Sequence, residues 1–133
     1  MPNVESTLLF KWFNEVWNNG DESAIEKLFD ENGIAHGITA SDSPPGPEGF
    51  KTFYKSFNEQ FSNVRVQVIE AVREDDFETA HCQVNAVERK SGKKVAFSGM
   101  CMARIHNGKI AEAWNNFDFL EMHQQLGHTL VSP

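Results

Sequence analysis

Residues 104–118 read RIHNGKIAEAWNNFD, and this stretch decides the fold because it predicts the position of a β-hairpin to within a single residue. Asn107-Gly108 is the strongest short hairpin signal, since these two residue types best tolerate the positive φ angles of a two-residue turn. A turn there pairs His106 with Lys109 and fixes the register of both strands. The following side chains are then predicted to lie opposite each other: Met102 and Ala113, Met100 and Asn115, and Ser98 and Phe117.

Both faces of this predicted hairpin are largely apolar. One face carries Met100, Met102 and Asn115, and the other carries Cys101 and Trp114. A sheet that is apolar on both sides needs a cover on each side. We therefore predict that helices and a pocket cover one side and that a second subunit covers part of the other, which makes the chain a homodimer.

Alternating apolar residues extend the hairpin into a meander of long strands. Val64, Val66 and Val68 alternate along a strand that continues to about residue 73, and Asp75-Asp76 forms the next turn. Two further turns separate three more strands, which are predicted over residues 77–89, 93–106 and 109–118.

Three helices are predicted ahead of these strands. Over residues 3–19 the apolar residues recur at spacings of three and four, as in an amphipathic helix, and Gly20 ends it. Asp21 is a good N-cap for a short second helix. A turn at Asn32-Gly33 and a brief strand over residues 34–38 are predicted to follow.

A loop rich in proline and serine comes before the third helix. Residues 40–49 cannot continue a helix or a central strand, and Pro47 is well placed as the first residue of the helix. Aromatic residues then repeat with helical period: Phe50, Phe53, Tyr54, Phe57 and Phe61. Burial of each ring contributes about 1.5–3 kcal/mol, so this helix must pack against a broad apolar surface.

Composition and charge restrict the class of protein. A chain of 133 residues fits one domain, and a formal charge of −7 without a basic face argues against nucleic acid as a partner. Neither a signal peptide nor a membrane span is recognisable, which predicts a cytoplasmic protein with no membrane contact. Cys82 and Cys101 lack metal-ligand spacing, and His123 and His128 do not share a helical face. We expect no metal and no cofactor.

Four segments resemble a known family: GPEGF at 46–50, SGKKVAFSG at 91–99, the hairpin at 104–118 and QQLG at 124–127. In order and spacing they resemble the SnoaL-like polyketide cyclase branch of the nuclear transport factor two-like superfamily, over residues 9–127. The resemblance implies an α+β fold in which a cone-shaped, curved antiparallel sheet wraps around N-terminal helices, as in a cystatin-like roll. It also implies a single SnoaL-like domain over residues 1–133 with an internal apolar pocket. Members include cyclases, isomerases, dehydratases and hydrolases, so the fold does not name the reaction.

The resemblance also implies where catalytic groups would lie. Cyclases of this branch use an Asp on the last strand beside a His, and the match places Asn115 at the Asp, with Met100 across from it. An amide cannot take a proton at neutral pH, so Asn115 could orient a carbonyl or hydroxyl but could not act as a general base. In the related limonene epoxide hydrolases three positions carry ionisable residues. At the matching positions this chain has Gln83, Asn85 and Asn115. The alternative for Gln83 and Asn85 is that both face solvent.

Two ionisable residues are the candidate catalytic groups. His36 follows the second helix, where family members often present a residue to the ligand; its alternative is a structural histidine bonded to backbone. Asp118 could act as a base if it is buried, and its alternative is to cap the helical turn that follows.

Aromatic and thioether side chains complete the predicted pocket. Tyr54 could donate a hydrogen bond to an oxyanion as in ketosteroid isomerases, although its helical spacing also suits a core residue. The other predicted pocket walls are Trp12, Phe13, Trp17, Phe53, Phe57, Met100 and Met102. The first hypothesis is a cofactor-free enzyme of the cyclase and isomerase type that acts on a small apolar carbonyl or polycyclic compound. The alternatives are a non-catalytic domain that binds a small apolar molecule and a dimeric interaction module.

Overall fold

Helices cover one face of a curved, five-stranded sheet in the computed structural model, which describes residues 3–39 and 42–132. This confirms the predicted α+β class. The helices are α1 (Leu8–Trp12), α2 (Ser23–Leu28), α3 (Pro47–Gln60) and α4 (Phe119–Gln125). The strands are β1 (Phe29–His36), β2 (Phe61–Glu74), β3 (Phe77–Glu88), β4 (Lys94–His106) and β5 (Lys109–Phe117).

The first helical region changes from 3₁₀ to α to π geometry along its length. A 3₁₀ turn at Val4–Ser6 precedes α1, and a π-helical segment, Phe13–Asn18, continues it. In the π-helical segment the backbone N–H of Asn19 donates to the carbonyl of Asn14 at 2.8 Å, five residues back. The predicted amphipathic helix is confirmed, with Leu9, Trp12, Phe13 and Val16 buried along its α and π-helical parts.

The strand after α2 differs from the prediction. The predicted turn at Asn32-Gly33 is wrong, because both residues lie inside β1, which begins at Phe29 and ends at His36. Between Phe29 and Ile34 the register against β5 shifts, so the Asn-Gly pair occupies an irregular part of the strand instead of reversing the chain. Of the predicted loop over 40–49, residues 40 and 41 lie outside the described residues.

The strand order is β1-β5-β4-β3-β2. The last four strands form the predicted antiparallel meander. β1 departs from the predicted antiparallel sheet, because it adds to the edge of β5 in the parallel direction. A parallel neighbour needs a long crossover connection, and here α3 and the whole meander lie between the two strands.

The predicted register of the last hairpin is wrong by one residue. His106 pairs with Lys109 as predicted, but Ile105 pairs with Ile110 while Arg104 pairs with Glu112, so Ala111 is an extra residue on β5. A β-bulge of this kind moves every later side chain to the opposite face. The observed pairs are Met102 with Trp114, Cys101 with Asn115, Met100 with Asn116 and Gly99 with Phe117. Asn115 therefore lies on the inner, helix-covered face, beside the buried Cys101.

Two thiols are buried between β3, β4 and the helices. Burial raises the pKa of Cys82 from 9.0 to about 12, and burial also raises the pKa of Cys101. Because these folded-state pKa values lie above the unfolded value, the unfolded chain releases its protons first as the pH rises. The stability contribution is complete below about pH 9 and is lost above it.

We expect the free energy of unfolding to fall between pH 9 and 10.5, by up to about 1.4 kcal/mol per pH unit for each thiol. Urea unfolding of the reduced protein at several pH values measures this slope. The Cys82→Ala, Cys101→Ala double variant is the control and should have a shallower slope. Equal slopes in the two proteins would contradict the prediction.

The outer face of the sheet is partly apolar and exposed. Val72 is 62% exposed, Met100 45% and Met102 40%. The predicted homodimer, with a second copy covering this face, stays a prediction, and sedimentation at micromolar concentration tests it. None of the helices within residues 3–39 and 42–132 is long and apolar enough to cross a membrane.

Candidate functional site

A narrow cavity lies between the helices and the inner face of the sheet. Its volume is about 50 Å³. Its lining residues are mostly aromatic or branched aliphatic: Trp12, Phe13, Trp17, Ile38, Phe50, Phe53, Phe57, Val64, Val66, Val84, Phe97, Asn115, Phe117 and Phe119. None of these lining side chains is ionisable.

Two helical segments supply the aromatic wall. Helical periodicity places Phe50, Phe53 and Phe57 on one face of α3, and the π-helical segment places Trp17 against them. The Trp17 ring meets all three phenyl rings edge-on, with centroids 5.5–6.1 Å apart. Edge-to-face contacts of this kind contribute about 0.5–1.5 kcal/mol each beyond burial, so the wall is ordered by its own packing.

The opposite wall depends on a missing side chain in β4. A Cβ atom at Gly99 would lie 2.1 Å from Cδ1 of Phe117, so only glycine lets this ring lie across the inner face of the strand. Phe119, the first residue of α4, packs against both Phe97 and Phe117, with centroids 5.8 and 6.3 Å apart. The hairpin register and α4 together close the cavity on this side.

Among the described lining residues, Asn115 supplies the one carboxamide, and the two indole N–H groups are the other polar side-chain groups. Its Nδ2 donates to the backbone carbonyl oxygen of His36 at 3.0 Å. A carbonyl only accepts, so this contact fixes which end of the amide faces β1. The Oδ1 atom accepts from no donor among the described residues.

Comparison with known proteins assigns the family. The family model of the SnoaL-like polyketide cyclases matches residues 7–126. The chain belongs to the SnoaL-like polyketide cyclase family. No curated protein matches the sequence.

Solved structures share the fold of this SnoaL-like chain. A candidate polyketide cyclase from Bacillus cereus is 26% identical, with a TM-score of 0.79 over 90% of this chain and 78% of that one. TsrD from Streptomyces laurentii is 18% identical, with a TM-score of 0.80 over 90% and 92% of the two chains. A Catenulispora acidiphila protein with a ketosteroid isomerase-like fold, in complex with trimethylamine, is 18% identical, with a TM-score of 0.80 over 96% and 98%. The chain therefore has the ketosteroid isomerase-like fold that the resemblance implied.

His36 of the SnoaL-like chain does not line the cavity. Its ring lies on the outer face of the sheet, stacked on Trp114 at 5.7 Å between centroids. Its Nε2 lies 2.7 Å from Oε2 of Glu112, and Oε1 of Glu112 lies 4.0 Å from Arg104. Only the backbone carbonyl of His36 reaches the site, through Asn115.

Asp118 also lies outside the cavity lining. Its Oδ1 accepts a hydrogen bond from the backbone N–H of Glu121 at 3.0 Å, so it caps α4. This is the alternative that the sequence left open. The cap orients α4, whose Phe119 does line the cavity.

The predicted pocket residues divide into two groups. Those that line the cavity are Trp12, Phe13, Trp17, Phe53, Phe57 and Asn115. Those that do not are Tyr54, Gln83, Asn85, Met100 and Met102. The Tyr54 hydroxyl donates to the carbonyl of Val16 at 3.0 Å, and burial raises the pKa of this phenol. Gln83, Asn85 and the two methionines lie on the outer face, since their inward-facing neighbours Cys82, Val84, Ala86 and Cys101 are buried.

Several cavity residues were missed from the sequence. Phe50 carries the same helical signal as Phe53, and Phe117 would have been placed inward by the correct register. The others are Ile38, Val64, Val66, Val84, Phe97 and Phe119. Alternation identifies the strand residues as core but does not indicate which of them border a cavity.

The site can hold an apolar molecule and hydrogen-bond one polar group. None of the described lining residues has an ionisable side chain, so none of them could perform a proton transfer inside the cavity. Among residues 3–39 and 42–132, no group of three or more His, Cys, Asp or Glu side chains is arranged to hold a metal ion.

Proposed function

We propose that this SnoaL-like chain binds a small, mainly apolar compound with one hydroxyl or carbonyl group in the cavity between α3 and β5. The observation that carries the proposal is the lining itself, which combines aromatic rings with a single carboxamide. Ligand pockets are typically apolar with a few placed polar groups that fix orientation. Asn115 is the orienting group, because its Oδ1 can accept from a ligand hydroxyl, and the second N–H of its Nδ2, whose first N–H donates to β1, can donate to a ligand carbonyl.

Native tryptophan fluorescence tests the proposal, since Trp12 and Trp17 both line the cavity. We expect saturable changes with cyclohexanol and cyclohexanone, and weaker binding of methylcyclohexane, which lacks the polar group. The Asn115→Leu variant should bind cyclohexanol about tenfold more weakly, as loss of one hydrogen bond predicts, and methylcyclohexane with unchanged affinity.

The matched control is Gln83→Leu, which removes a carboxamide from the outer face of the same sheet. Its affinity for cyclohexanol should equal that of the wild type. Absence of saturable binding by the wild-type protein, or an equal loss in the two variants, would overturn the assignment.

A second candidate function is cofactor-free cyclisation or isomerisation of an apolar carbonyl compound. Membership of the SnoaL-like polyketide cyclase family favours it. Asn115 would then orient the reacting carbonyl without taking a proton. The candidate catalytic groups His36 and Asp118 separate the two functions: if either performs acid–base chemistry, His36→Gln or Asp118→Asn should lower turnover at least about a hundredfold. Unchanged turnover in both variants would remove them from the mechanism.

A further inference from the structure

The π-helical segment, Phe13–Asn18, brings two tryptophans to the same side of the first helical region. Trp12 precedes the segment and Trp17 lies within it, five residues later, and both line the cavity. In an α-helix each residue advances about 100° around the axis, so side chains five residues apart point about 140° away from each other. A π-helix bonds residues five apart, so such side chains stack one above the other. The π winding therefore lets both indoles line one cavity.

Asn18, the last residue of the segment, is bound to the edge of the sheet. Its Oδ1 accepts from the backbone N–H of Val66 at 2.6 Å, and its Nδ2 donates to the carbonyl of the same residue at 2.8 Å. Val66 belongs to β2, the end strand of the sheet, and its side chain lines the cavity. The Asn18 amide thus holds Trp17, its neighbour in the chain, beside the β2 wall of the cavity.

A second contact holds the middle of the segment. The Tyr54 hydroxyl donates to the carbonyl of Val16 at 3.0 Å, and the Tyr54 and Trp17 rings lie 5.0 Å apart between centroids. The residues on either side of Trp17 are therefore bound to different elements, Val16 to α3 and Asn18 to β2. Trp17 is only partly buried. A side chain that both lines the cavity and reaches the surface limits how far a bound molecule can extend.

We propose that Asn18 is a positioning residue of the ligand site, which holds the π winding and thereby lets Trp17 set the size of the bound molecule. The inference rests on the proposed function, since it concerns the same cavity and the same class of ligand. A cavity of about 50 Å³ admits one ring more readily than two fused rings. Without the Asn18 amide, the end of the segment is released from β2 and Trp17 turns out of the cavity. The site then discriminates less between small and large ligands.

Two alcohols of different size test the proposal by tryptophan fluorescence. We expect the wild type to bind cyclohexanol at least about tenfold more tightly than decahydro-1-naphthol, a fused bicyclic alcohol with the same polar group. Asn18→Ala should reduce this preference at least about fivefold. A general loss of folded protein weakens both affinities by the same factor and leaves their ratio unchanged. Asn19→Ala, which removes an exposed amide from the next residue, is the matched control and should keep the wild-type ratio.

Nuclear magnetic resonance of the ligand-free protein gives a readout that does not depend on binding. The chain has three tryptophans, so three indole N–H signals can be assigned by substitution. Asn18→Ala should shift the Trp17 signal, while the signal of Trp114, on the outer face beside His36, stays in place. If the wild type binds neither alcohol, the proposed function fails, and the Trp17 signal still decides the role of Asn18. A wild-type ratio of affinities in Asn18→Ala, or an unmoved Trp17 signal, would overturn the proposal.

Deletion of Asn14 tests the winding itself. Asn14 lies within the π-helical segment and is not among the lining residues of the cavity. The deletion leaves Trp12 and Trp17 four residues apart, the spacing that an α-helix brings to one face. We therefore expect the shortened chain to fold with α winding and to keep the preference for cyclohexanol within about threefold of the wild type. Loss of folding or of this preference would overturn the claim that the winding serves to align the two indoles.

Discussion

Replacement of Glu78 with alanine is expected to lower the free energy of unfolding by about 3–6 kcal/mol, since two hydrogen bonds to a charged group are lost. The Glu78 side chain is 1% exposed on the inner face of β3. Its Oε2 accepts from the N–H of Leu8 at 3.1 Å and its Oε1 accepts from the N–H of Leu9 at 2.9 Å. These are the first N–H groups of α1, which have no partner within the helix. Urea unfolding followed by circular dichroism measures the loss, which is large against a typical total of about 5–15 kcal/mol.

Two further variants separate the contributions of Glu78. Glu78→Gln keeps one acceptor oxygen, so it should cost about half as much as Glu78→Ala. Arg73→Ala removes a distant ion pair, in which Nη1 lies 3.8 Å from Glu78, and a long hydrogen bond from Nε to the carbonyl of Asp75 at 3.5 Å, both from a half-exposed side chain. It should cost less than about 1 kcal/mol. If Arg73→Ala costs as much as Glu78→Ala, the ion pair and not the helix contact is the stabilising interaction.

Local sequence signals predicted most of the elements of the fold. Pro47 begins α3, and the aromatic repeat that follows it faces the sheet. Asn107 and Gly108 adopt positive φ angles of 52° and 74° at the last hairpin turn. These features depend on the conformational preference of single residues or on a helical repeat of apolar residues. Both signals can be recognised in a short segment without knowledge of the rest of the chain.

The candidate site was less predictable, because it depends on one extra residue. The bulge at Ala111 moves Asn115 from the outer to the inner face. Both faces of the hairpin carry apolar side chains, so a shift of one residue leaves the hydrophobic pattern nearly unchanged, and the pattern cannot select the register. The assignment of Met100 and Met102 to the pocket followed from the same shift.

Polar contacts between distant parts of the chain were also not predictable. The side-chain amide of Asn18 donates to the carbonyl of Val66 at 2.8 Å and accepts from its N–H at 2.6 Å, which joins the π-helical segment to β2. Glu78 binds α1 across a longer separation in sequence, 69 residues against 48. Such contacts exist only after the elements have packed, and no spacing in the sequence encodes them.

Replacement of Gly37 with alanine is expected to lower the free energy of unfolding by about 2–5 kcal/mol and to weaken ligand binding in the cavity. Gly37 follows β1 at a φ of +88°, where a Cβ atom would lie 2.1 Å from the backbone oxygen of Asn115. The left-handed conformation costs an L-residue about 1–2 kcal/mol, and relief of the clash must move backbone, at about 1–3 kcal/mol more. That movement separates β1 from β5 and breaks the hydrogen bond from Asn115 Nδ2 to His36.

The matched control for Gly37 is Gly20→Ala, because Gly20 also has a positive φ, +64°, but no atom of residues 3–39 and 42–132 lies within 4 Å of its Cβ position. This variant bears only the conformational cost, about 1–2 kcal/mol, and should bind cyclohexanol like the wild type. Urea unfolding and the tryptophan titration measure the two effects separately. If Gly37→Ala loses stability but keeps the wild-type affinity, β1 does not hold the Asn115 amide in place. If both glycine variants lose the same stability, the close approach of β1 to β5 imposes no constraint.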